Sequence, residues 1–109
     1  MTPTQFKKVV NLQLKRCREV LDQREQYYGT DDDRLDNFRR VAVSTRNSTK
    51  RVLMTMVGKQ WDALNSAAVR EAEGEQVGLA EWSEWITDVI NYMLLLKGMV
   101  FDDFEPIEE

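Results

Sequence analysis

Three oxygen-bearing side chains recur on one face of the most apolar stretch of the chain. Glu84, Asp88 and Asn91 follow i, i+4, i+7 spacing, with Leu95 next at i+11. A helix stacks such positions on one side. Two carboxylates one turn apart repel each other, and burying both without a partner costs on the order of several kcal/mol or forces protonation. A divalent cation resolves that conflict. Magnesium suits it, because it takes oxygen ligands and keeps water in its shell. A solvent-facing strip, or salt bridges to basic groups elsewhere, resolves it equally well.

Further groups can join this face if the helices carrying them pack together. Lys59 and Asp62 stand at i and i+3. Asp62 offers a third carboxylate, and Lys59 can meet a phosphate or neutralise Asp62. Glu25 has Arg24 beside it and Asp22 one turn earlier. Arg39, Arg40, Arg46, Lys50 and Arg51 form a basic region able to bind phosphates, or simply to solubilise. Tyr27, Tyr28 and Gly29 are consecutive; the rings can pack inside or stack on a base, and helical phase favours the core for Tyr28. Asn37, next to Phe38, can read a base edge or cap a turn. Phe38 and Trp82 read first as core residues. There is no histidine, which removes histidine general bases and histidine-ligated zinc. The lone cysteine, Cys17, lies in an apolar stripe without an acid–base relay and reads as a buried small hydrophobe.

The elements that must position these groups are helical. A first helix is expected over 3–28, capped by Thr2 with Pro3 at its first position. Phe6, Val9, Val10, Cys17, Val20, Leu21 and Tyr28 form its buried stripe. Gly29 ends it, and Asp31 to Asp33 read as a loop or cap. A short helix is expected over 33–43, with Leu35, Phe38, Val41 and Ala42 inward. A polar turn follows, in which Ser48 or Thr49 caps a third helix over 50–70. The stripe of that helix is Val52, Leu53, Met56, Val57, Trp61, Leu64 and Ala68. Gly58 within it either permits close backbone approach or is incidental. Residues 71–78 read as an acidic loop. The last helix is expected over 79–97, closed by Gly98. It is apolar on so many sides that it must be central to a core or shared between subunits. The predicted fold is thus an all-α antiparallel bundle of about four helices completed by oligomerisation. One domain spans 1–100, and an acidic tail spans 101–109.

Composition agrees with a globular chain. Hydrophobic residues are 42% and charged residues 31% of 109, a profile unlike that of a disordered segment. A chain of this length buries a modest share of its surface, so a second copy would help to stabilise it. The apolar run near 90–100 contains Lys97 and is too short to span a bilayer. The single cysteine and the lack of an evident signal peptide lead us to expect a cytoplasmic protein. The net charge of −4 hides a split, +6 over 1–59 against −10 over 60–109. That split can pair two chains head to tail, or set a basic rim beside an acidic cluster.

An ordered series of short motifs resembles a known family. Arg24-Glu25-Gln26-Tyr27-Tyr28-Gly29 is followed by Asn37-Phe38. Val52-Leu53-Met54 then leads into Lys59, and Glu84-Trp85-Ile86-Thr87-Asp88-Val89-Ile90-Asn91-Tyr92 completes the series. Over roughly residues 18–96 this resembles the phage-type branch of the all-α nucleoside triphosphate pyrophosphatases, which includes MazG-like enzymes and a domain associated with nucleotide modification. The resemblance implies a helical homo-oligomer, dimer or tetramer, that uses magnesium to hydrolyse a nucleoside triphosphate to the monophosphate and pyrophosphate. It implies Glu84, Asp88 and Asp62 as metal ligands, with Glu25 as base or second ligand. Lys59, Arg39, Arg40 and Lys50 would clamp phosphates. Tyr27, Tyr28, Asn37, Asn91 and Trp82 would surround the base. Lys59 departs from the family pattern, standing where a carboxylate is usual. The alternatives are a degenerate nucleotide-binding member and a phage-type helical protein that binds a host protein. Nucleic-acid binding is disfavoured by the overall negative charge and the absence of a binding motif.

Overall fold

The computed structural model of the chain describes residues 1–30, 33–105 and 107–109, with Tyr28 described by its backbone alone. Four helices follow one another, α1 Pro3–Tyr28, α2 Asp36–Thr45, α3 Thr49–Ala72 and α4 Leu79–Phe104. No strand occurs among the described residues, so the all-α bundle expected from periodicity is what forms. No helix among them is long and apolar enough to cross a membrane.

Local chemistry sets the helix ends. The Thr2 hydroxyl accepts from the Gln5 amide, and the Gln5 side chain accepts from the Thr2 amide, a reciprocal cap ahead of Pro3. Asp33 holds a turn instead of starting α2. Its amide donates to the Thr30 hydroxyl, and its carboxylate accepts from the Leu35 amide, which delays the helix to Asp36. Ser48 caps α3 by accepting from the Arg51 amide at 3.2 Å.

Gly29 is needed for close approach. A Cβ there would sit 2.9 Å from the Arg34 Cα and 3.0 Å from its carbonyl oxygen. Gly29→Ala is therefore expected to destabilise the fold by about 1–3 kcal/mol as the α1–α2 connection is pushed apart, read as a lower urea midpoint at constant slope. Gly58 shows no such crowding, since a Cβ there would meet nothing within 4 Å. Its presence in α3 is incidental.

The core lies between α2, α3 and the C-terminal half of α4. Leu35, Phe38 and Ala42 pack with Val52, Leu53 and Met99, flanked by Met56, Tyr92 and Leu95. This explains why α4 does not stop at Gly98 and why residues 101–104 are not tail. Met99 is buried one residue further on, Asp102 pairs with Arg39, and Asp103 pairs with Lys50, both at 2.8 Å. The Lys50–Asp103 pair places the end of α4 beside the start of α3, so the two helices run antiparallel.

The first helix departs from its expected burial. Cys17 and Val20 are buried, but Phe6, Val9 and Val10 are exposed. α1 meets α4 from Gln13 to Arg24, and residues 1–12 are exposed beyond that contact. On α3, Trp61 is likewise exposed, and Ala67 rather than Ala68 turns inward.

Candidate functional site

The polar stripe of α4 faces inward for part of its length. Thr87, Asp88 and Asn91 are buried, whereas Glu84, one turn earlier, is exposed. The difference comes from what α1 lays over them. Gln13 donates to the Thr87 hydroxyl at 2.8 Å and lies 3.2 Å from the Cys17 sulfur. Arg24 reaches Asp88 with Nη1–Oδ1 3.1 Å. Asn91 donates its Nδ2 to the Cys17 carbonyl at 3.2 Å. That carbonyl can only accept, so the amide nitrogen must face it. The Asn91 Oδ1 is left buried without a partner among the described residues.

These groups border an open cavity of about 180 Å³ lined from all four helices. Its apolar wall is Leu21, Phe38, Met56 and Leu95, with Tyr92 beside them. Its polar groups are Arg24, Arg34, Asn37, Asp88 and Asn91. Three of these residues carry a buried atom with no hydrogen-bond partner among the described residues, namely Arg34 Nη1, Asn37 Oδ1 and Asn91 Oδ1. Leaving a buried donor or acceptor unmade costs about 1–3 kcal/mol each. Such a cluster around one cavity marks a place where a ligand can supply what the chain does not.

Of the carboxylates expected to converge, Asp88 alone lines this cavity. Glu25 is exposed in a neighbouring groove between α1 and α4, with Asp22 and Asp33. Asp62 is exposed on α3. Glu84 lies in a shallow groove with Arg16 and Gln23 that Asp88 also borders. Among the described residues no three Asp, Glu or Cys side chains group closely enough to hold a metal ion. Asp88 already faces a guanidinium. The described residues of one protomer thus gather no three-carboxylate set for magnesium.

The basic residues are largely committed within the chain. Arg39 bridges Asp33 and Asp102 at 2.7 and 2.8 Å. Its partial desolvation lowers its pKa, but the hydrogen bond and charge of Asp33, with help from Asp102, leave it raised overall. Arg40 pairs with Asp36, and Lys50 with Asp103. Lys59 is exposed and makes no ion pair among the described residues. Trp82 does not reach the cavity. Its indole N–H donates to Glu71 at 2.7 Å, and its ring meets Trp85 edge-on, which pins the α3–α4 turn. Tyr27 is exposed, and the Tyr28 side chain lies outside the described residues. Asn37 and Asn91 do come together at the cavity.

Two members of the site, Arg24 and Arg34, were not assigned roles from sequence. Arg24 carried a signal, because it continues the Cys17, Val20 stripe at the next i+4 position. Arg34 carried one too, since in the helix expected over 33–43 it stands one turn before Phe38, although it lies in the turn before α2. Compared with family models, with curated proteins and with solved structures, the chain matches none.

Proposed function

We propose that the chain binds a nucleotide, its base ring in the four-helix cavity and its charged end toward the arginines. The observation that supports this reading is the trio of unpartnered buried atoms around one space. The Asn37 and Asn91 carbonyl oxygens call for N–H donors, which the edges of nucleobases present. The Arg34 guanidinium calls for an acceptor oxygen. Leu21, Phe38, Met56 and Leu95 supply an apolar surface for a flat ring. The cavity, about 180 Å³, is smaller than the roughly 300–1,000 Å³ of common small-molecule sites. It therefore admits a single ring while the sugar and phosphates stay outside.

Hydrolysis of a nucleoside triphosphate to monophosphate and pyrophosphate is the stronger form of the same reading. It requires metal ligands that the described residues of one protomer do not gather, so binding is the form the geometry supports best.

Calorimetry with nucleosides and deoxynucleoside triphosphates, with and without magnesium, tests it directly. Saturable binding of at least one of them is expected, selective by base. Pyrophosphate release in magnesium would establish turnover as well. Heats no larger than dilution for every nucleoside and nucleotide would leave the cavity to water and end the proposal.

A further inference from the structure

We infer that the N-terminal arm of α1 docks onto the acidic α3–α4 end of a second copy, the two arms being exchanged reciprocally. The stripe Phe6, Val10, Gln13, Cys17, Val20 has the alternating four-and-three spacing of a helix–helix seam. Its lower half is covered by α4 of the same chain. Its upper half is bare, with Phe6 57% and Val10 38% exposed. A seam that runs on past its partner requires another surface. An uncovered helix of about a dozen residues is also marginal in water on its own.

The amount of surface says how much is missing. The chain exposes 8512 Å² for a mass of 12.8 kDa, where a folded monomer of that mass exposes about 6,300 Å². The radius of gyration is 16.3 Å, against about 13 Å for a compact domain of this length. The excess of roughly 2,200 Å² per chain is the scale that a permanent dimer buries.

Charge selects the surface. Residues 1–18 contain five lysines or arginines and no carboxylate, so arm against arm would set like charges together. Residues 71–84 contain five glutamates and no basic residue. Glu73, Glu81 and Glu84 are exposed and form no ion pair among the described residues. Leu79, 83% exposed, and Val69 supply apolar contacts at the same end. Reciprocal use of the two surfaces closes a twofold dimer without leaving either free. This inference stands apart from the nucleotide reading.

Sedimentation equilibrium of the full chain tests it. Twice the chain mass is expected, with dissociation favoured by salt; a single-chain mass across the whole concentration range overturns it. Phe6→Asp with Val10→Asp is expected to give monomers that keep most of their helical signal, since both side chains are exposed in the protomer. A dimer unaffected by that pair places the interface elsewhere and overturns the inference. Lys7→Glu with Lys8→Glu is expected to weaken dimerisation roughly threefold to tenfold, with recovery when Glu81→Lys and Glu84→Lys are added. Strengthened dimerisation by the lysine reversals alone would mean arm against arm and would overturn the acidic docking surface.

Discussion

Phe38→Ala is expected to lower folding stability by about 3–5 kcal/mol and to abolish ligand uptake by the cavity. Phe38 is 3% exposed and sits between α2, α3 and α4, with one side in the core cluster and another lining the cavity. Its ring is thus packing for the first and wall for the second. A loss of that size is a large part of the roughly 5–15 kcal/mol that holds a domain together. Urea unfolding should show a lower midpoint at unchanged slope. Leu53→Ala is the control that separates the two roles. Leu53 is fully buried in the same core but does not line the cavity. Its truncation should cost about 2–5 kcal/mol and leave nucleotide affinity intact in the folded fraction. A Phe38→Ala protein as stable as the parent would mean that the core is not where α2, α3 and α4 meet.

Periodicity found the helices because it depends on the chain alone. The Thr2–Pro3 cap, the Gly29 stop and the Ser48 cap were readable for the same reason. The α1 stripe was readable as a stripe, but not as half covered. Nothing in Phe6 or Val10 tells how far α4 will reach along α1, and an apolar face waiting for a second chain has the same spacing as one already buried. The acidic residues failed to converge for a related reason. Spacing shows that Glu84 and Asp88 share a face, but the crossing of α1 over α4 covers Asp88 and not Glu84. The arginine partner of Asp88 could be placed only once that crossing was known. The partners of Arg39 and Lys50 are hidden from the sequence while Asp102 and Asp103 read as part of a tail. Once α4 continues through residues 101–104, those carboxylates stand opposite Arg39 and Lys50 and bind them. Asn37, which the sequence allows either to read a base edge or to cap a turn, lines the cavity. Arg34 shares the Phe38 face of the helix expected over 33–43, but its cationic side chain reads there as a solvated charge.

The polar cluster gives the sharpest separation of function from folding. Asn91→Leu should leave stability unchanged or raise it, while nucleotide affinity falls about tenfold or more. Asn91 is 4% exposed, and its Oδ1 has no partner among the described residues. Burial of an unmade acceptor costs about 1–3 kcal/mol, and leucine of similar shape removes that cost. What is lost is the Nδ2 bond to the Cys17 carbonyl at 3.2 Å, a weak contact to a group already inside α1. A bound base that donates to Oδ1 would instead lose a desolvated hydrogen bond, and its own N–H would be left facing a methyl group. The two measurements should therefore move in opposite directions, a thermal midpoint held or raised and a calorimetric Kd weakened. A residue present only to hold α1 on α4 would lower the midpoint and leave the Kd alone. That result would assign the Asp88–Asn91 polar stripe to packing and remove the chemical basis for a ligand in this cavity.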